Sequence, residues 1–160
     1  MLNQLEQWIE TTLTESAPQR TPCTTLLPYF SGFYSPELLQ ESYFVIVENL
    51  PIPDFPELRD QGLGGFLDMD IQGITYKNTY FIKKGFEQKL RLHFHELVHV
   101  LQWRYFGSRE FINRYIDEIQ QFGYDNAPLE RMAYSLEDKF TTSNRPFDVE
   151  KYVSIAIPLV

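Results

Sequence analysis

The sequence predicts an α+β protein, and three features carry that reading. Residues 2–15 and most of the chain after Glu87 place apolar residues three and four apart, the spacing of one helix face. Residues 64–83 are rich in Ile, Thr, Tyr and Phe and show no helical period. The two textures occur in blocks rather than in alternation, so the order is a helical start, a small mixed or antiparallel sheet, and then helices.

Taken in order, Leu2, Leu5, Trp8, Ile9 and Leu13 define an amphipathic helix over 2–15. A joint rich in Pro and Thr follows it. Ser35-Pro36-Glu37 supplies an N-cap, a first-turn proline and a first-turn acid for a short helix. Tyr43–Val47, aromatic and β-branched throughout, reads as a buried strand, and Pro51, Pro53 and Pro56 exclude regular structure directly after it. Two or three strands are expected between Gly64 and Lys83, with a hairpin near Lys77-Asn78. Three helices are then expected over 87–106, 109–122 and 127–140, with Gly107, Gly123 and Pro128 at their boundaries. The last fifteen residues are read as a tail or a final strand.

One domain is expected over 1–160: an N-terminal helical and extended segment (1–60), a central unit (64–140) and a C-terminal tail (141–160). Hydrophobic residues make up 43% of the chain and charged residues 22%, a globular composition that excludes extended disorder. A formal net charge of -8 repels phosphate backbones and argues against nucleic acid as a partner. No membrane span, signal peptide or disulfide is expected, because no apolar run is long enough and Cys23 is the single cysteine. A cytoplasmic location is the resulting expectation. Cys23 lies outside any metal-binding pattern and reads as a plain free thiol.

The chemistry concentrates in His95-Glu96-Leu97-Val98-His99, an H-E-x-x-H run. Residues four apart share a helix face, so both imidazoles reach one ion, while Glu96 sits roughly 100° further round. That offset suits a general base acting on water beside a zinc ion better than it suits a ligand. Leu90, Phe94, Leu97, Val98, Leu101 and Tyr105 supply the apolar face of the same helix, with the histidines at its boundary. His93 points away from the pair, as a solvent-facing or structural residue.

A zinc site needs a third protein ligand. The metzincin continuation, Gly and then His, is absent, because Gln102 and Tyr105 stand there. With three histidines in the chain, a carboxylate remains: Glu110, Asp117, Glu118, Glu130, Glu137 or Asp138. Glu130 is preferred, since it opens a helix behind Asp125-Asn126 and Pro128 on the flank beside small Ala133. Glu137, two turns on, is the reserve, and an ordinary first-turn acid is the alternative reading of Glu130.

HELVHVLQ followed by PLERMAY resembles the gluzincin clan of zinc peptidases, in its compact, minimal-gluzincin form, over residues 74–140. The resemblance implies a zincin-like fold with an active-site helix packed on the sheet. It also implies one zinc ion held by His95, His99 and Glu130, Glu96 as general base, and a peptide or protein substrate. Zinc would polarise the scissile carbonyl and acidify water, and Glu96 would pass the proton to the leaving amine. The chain departs from thermolysin-like members in having Ala133 and Tyr134, not an acid, three and four residues after Glu130. The resemblance therefore names no residue to brace a histidine. Tyr134, one turn beyond Glu130, is the expected oxyanion donor, with Tyr124, Tyr105, Arg104 and Arg131 as rivals. Substrate addition along strand residues 74–83 is a further expectation. A similar H-E-x-x-H helix with a later E-x-x-A occurs in repressor-clipping peptidases, so a regulatory or protein-binding role is the alternative.

Overall fold

The computed structural model covers residues 1–160. Helix α1 (Leu2–Ser16) buries Leu5 and Ile9, two members of the stripe read from the sequence. Strand β1 (Thr21–Pro22) and two short helices, α2 (Leu27–Phe30) and α3 (Pro36–Gln40), follow. Ser35 caps α3 as expected, its side chain accepting from the Leu38 amide at 3.1 Å. Strand β2 (Tyr43–Val47) is buried only in part, with Ile46 exposed.

The prolines after β2 do not exclude helix altogether. Pro56 opens the single turn α4 (Pro56–Leu58) from its first position, where its missing N–H costs nothing. A π-helical turn (Arg59–Leu63) and α5 (Gly64–Leu67) complete a cap of short turns. Residues 64–67 are thus helical, and the sheet residues begin at β3 (Gly73–Tyr76) and continue in β4 (Thr79–Lys83). Lys77 and Asn78 make the two-residue hairpin between them, Lys77 at φ 58°.

The sheet is mixed, in the order β1-β2-β4-β3. β2 pairs parallel with β4, whereas β1–β2 and β3–β4 are antiparallel. β4 is therefore an interior strand, buried at four of its five positions, and only β3 presents a free edge beside the long helix α6. The expectation that substrate adds along 74–83 is corrected accordingly: the free strand edge is Gly73–Tyr76.

Helix α6 (Leu90–Phe106) starts three residues later than expected, after a turn over 86–89. It is no surface helix with a single apolar face. Every residue from His93 to Trp103 is buried, because the sheet, α7 (Ser108–Phe122), α8 (Pro128–Thr142) and α9 (Val149–Ala156) surround it. The C-terminal stretch is neither tail nor strand. It forms α9, capped by Asp148 and packed on α6 through Val149 and Val153. One hydrophobic cluster runs from Leu5 to Ile157, with Phe30, Phe33, Phe94, Phe140 and Phe147 in mutual edge and stacked contact around the α6–α8 crossing. No helix is long and apolar enough to cross a membrane.

Candidate metal centre

Three ligand-type side chains converge where α6 meets α8. His95 and His99 lie one turn apart, which brings their Nε2 atoms to 3.1 Å. Glu130, in the first turn of α8, places Oε1 3.1 Å from His95 Nε2 and Oε2 3.1 Å from His99 Nε2. Pro128 at the first helical position aims this turn, and Glu118 of α7 accepts from the Leu129 amide at 2.8 Å to hold it. The α8 face between them is small, with Ala133 fully buried, so the two helices approach closely.

The hydrogen bonds behind the histidines decide what those Nε2 atoms are. His95 Nδ1 lies 3.0 Å from Glu137 Oε1, and a carboxylate only accepts, so Nδ1 carries the proton. Glu137 is itself held by Arg91, whose Nε donates to Oε2 at 2.6 Å. His99 Nδ1 donates to Gln102 Oε1 at 2.7 Å, and Gln102 Nε2 donates to the Leu129 carbonyl at 3.0 Å, which fixes the amide's orientation. In neutral form both imidazoles therefore present an Nε2 lone pair to the same point as the Glu130 carboxylate. Tyr115 donates to Glu130 Oε2 at 2.7 Å and braces it from α7.

Four acceptor atoms crowd together here, the two imidazole Nε2 atoms 3.1 Å apart and each 3.1 Å from a different Glu130 oxygen, an arrangement that a positive charge between them would relieve. Zinc bonded at about 2.0–2.1 Å in tetrahedral geometry sets its donors roughly 3.3 Å apart, close to the 3.1 Å between the imidazole nitrogens, and one ligand atom from each of the three residues lies within 4.8 Å of the others. The donor set of two imidazoles and one carboxylate, each braced by a second residue, fits such an ion. Without one, a proton takes its place: burial pushes the His95 imidazole down, but hydrogen bonds to Glu130 and Glu137 outweigh it and raise it to about 10. Burial likewise penalises the Glu130 carboxylate, yet His99 and His95 hold it well below its usual range.

Glu96 stands beside this cluster but outside it. Thr75 of β3 donates to Glu96 Oε2 at 2.6 Å, and Gly73 on the same strand lets the carboxylate lie against the backbone. A Cβ at Gly73 would sit 2.8 Å from Glu96 Oε1, so glycine here is a requirement of close approach. Burial raises the Glu96 pKa, opposed by the charges of His95 and His99.

The other candidates separate clearly. Glu137 does not share the Nε2 point but serves the far side of His95, seven residues after Glu130 instead of three or four. Glu118 works as a helix cap, Asp138 pairs with Arg91, and Glu110 and Asp117 face solvent. His93 is structural, as one of its two readings had it, and not solvent-facing. It is buried between Tyr80, whose hydroxyl is 2.7 Å from Nδ1, and the Glu87 carbonyl. Cys23 is buried against Tyr80 in the same structural group, and burial pushes its thiol up to about 12. Tyr134 lies at the site, its ring 4.5 Å from that of His95 and its hydroxyl 3.0 Å from that of Tyr124. Arg104 pairs with Glu41, and Tyr105 and Arg131 are exposed. The residues that sequence reasoning does not reach are Gly73, Thr75, Arg91 and Tyr115, none of which carries a motif, and Gln102, which in the sequence marks only the absent metzincin glycine.

No family model, no curated protein and no solved structure matches this chain.

Proposed function

We propose that this chain is a zinc-dependent peptide hydrolase of zincin-like type, with His95, His99 and Glu130 holding the ion and Glu96 as general base. The observation that carries the reading is the convergence of two imidazole nitrogens 3.1 Å apart on one carboxylate, each 3.1 Å from one of its oxygens, with both imidazole tautomers dictated from behind. When bound, zinc supplies Lewis acidity, polarising a carbonyl and easing loss of a proton from water. Glu96 supplies the proton traffic. Thr75 occupies Oε2, which leaves Oε1 to take the proton of the attacking water as the carbon–oxygen bond forms. Burial raises the proton affinity of this carboxylate, so it holds the proton until the leaving amine accepts it as the carbon–nitrogen bond breaks. Tyr134, at the mouth of the site with Tyr124, is the candidate donor to the developing oxyanion. The free edge of β3 carries both Gly73 and Thr75, so a substrate backbone added there lies directly beside Glu96.

One observation favours a second reading, a regulatory or partner-binding domain with a structural ion. His95, Glu96, His99 and Glu130 are only 4%, 4%, 5% and 3% exposed. The two readings part on a single substitution. Glu96→Gln leaves zinc stoichiometry and folding unchanged in both, but abolishes peptide cleavage only in the first. Cleavage by the Glu96→Gln protein at the wild-type rate refutes the hydrolase reading, and protein purified without added zinc or a His-tag that takes up no zinc refutes both.

A further inference from the structure

The candidate centre lies on a wall between two unlike spaces. On one side is a groove of mixed polarity with Asp70, Gln72, Lys89 and Asp125, reaching His95, Glu96 and Tyr134. On the other is a chamber bounded by Leu5 and Ile9 of α1, Leu63 and Phe66 of the cap, and Ile112 and Ile116 of α7. His95, Glu96, His99 and Glu130 line this chamber too, so whatever enters it meets the reacting groups.

Sixteen of the 23 residues lining the chamber are hydrophobic, and its polar side chains outside the candidate centre are already committed. Thr75 donates to Glu96, Tyr115 to Glu130 and Tyr76 to the Pro51 carbonyl, while Tyr124 pairs with Tyr134. The indole N–H of Trp103 is the one buried donor there without a partner, and one donor does not solvate a charged group. A polar or ionic side chain seated in the chamber beyond the centre itself would lose its hydration with nothing there to replace it, whereas an apolar one gains by leaving water.

We infer that the chamber receives a bulky apolar side chain of the peptide substrate, making this chain selective for bonds flanked on one side by Leu, Ile, Met or Phe. The inference rests on the hydrolase reading for its substrate, but the chamber is a binding site in its own right. Ile116 and Leu67, half-buried and outside the proposed machinery, set how much room the side chain has.

The test uses the zinc-loaded full chain and a panel of fluorogenic peptides that differ at one residue: Leu, Phe, Ala, Ser, Asp or Lys. Leu and Phe peptides are expected to exceed Asp and Lys peptides by at least about tenfold in kcat/KM, the discrimination an apolar pocket readily achieves. Ile116→Trp and Leu67→Trp, two independent fillings of the chamber, should lower the Phe peptide's rate by about tenfold or more while sparing the Ala peptide. Equal rates across the panel with hydrolysis intact would overturn the chamber assignment and leave the hydrolase reading standing. Fluorescence anisotropy on zinc-loaded Glu96→Gln separates the opposite failure. A Leu peptide bound at least about tenfold more tightly than its Asp counterpart supports the chamber even if the wild type cleaves neither, an outcome that sinks the hydrolase reading alone. Equal affinities overturn the chamber.

Discussion

Replacing Gly73 by alanine tests the structural link between the sheet and Glu96 without touching a candidate ligand. The added Cβ would lie 2.8 Å from Glu96 Oε1 and 3.2 Å from Cδ. Relief to an ordinary contact of 3.4 Å requires the Oε1 pair to separate by 0.6 Å. Glu96 has little freedom to give, because Thr75 holds Oε2 at 2.6 Å and the residue is only 4% exposed. Overpacking of this kind costs about 1–3 kcal/mol. The assay is a double-mutant cycle in denaturant, comparing Gly73→Ala in the wild type with Gly73→Ala in a Glu96→Ala background, where the clashing carboxylate is gone. The alanine should be destabilising in the first and nearly neutral in the second, a coupling of about 1–3 kcal/mol. Additivity within about 0.5 kcal/mol would refute the close approach itself. On the hydrolase reading the same substitution also lowers kcat. A misplacement of about 1 Å costs roughly a hundredfold, so the smaller shift here should cost about tenfold with zinc content unchanged.

If the centre holds zinc, two further outcomes follow from the bracing of the histidines and from the proton the ion would displace. Glu137→Gln removes the charge behind His95 Nδ1 but keeps the shape, and zinc affinity measured by chelator competition should fall about 10- to 100-fold; an unchanged affinity denies Glu137 its bracing role. In metal-free protein, His95 is raised from 6.5 to about 10, so its charge contributes stability that is complete below pH 6.5 and lost as pH rises towards 10. Metal-free melting temperature should therefore decline between pH 6.5 and 9.5 relative to a Glu130→Gln variant. Zinc binding near pH 7.5 should release protons, seen as a buffer-dependent enthalpy in calorimetry. A flat melting profile together with no proton release would count against the shared proton.

The legible part of the site was the part set by local geometry. An i, i+4 pair on a helix faces one point whatever the rest of the chain does, and Gly107 and Gly123 end helices by their own conformational freedom, both at φ 77°. Glu130 was reachable because Pro128 and its place in the first turn constrain its direction. The fold class was reachable because helical and extended periodicities survive in the text. The boundaries near Glu87 and the helix α9 were not, since α9 is eight residues long and owes its existence to packing on α6. Of the two readings of His93 the structural one stands, and the solvent-facing one fails for a related reason. A helix enclosed on all sides has no solvent face to which a third histidine can point.

What the sequence determined by itself is thus a helix presenting His95 and His99 together with Glu96 to one side, a set of carboxylates able to join them, and an apolar complement for a core. Only tertiary structure decided between those carboxylates. The packing of α6 on α8 sets Glu130 against both Nε2 atoms and turns Glu137, on the same flank two turns later, to Nδ1 of one. It also brings Gly73 and Thr75 of an edge strand onto Glu96, and α1 and the cap over the chamber behind. The physical reason is range. Helical phase propagates through covalent neighbours, whereas the meeting of residues 73 and 96, or 95 and 137, depends on which surfaces the whole chain can bury at once.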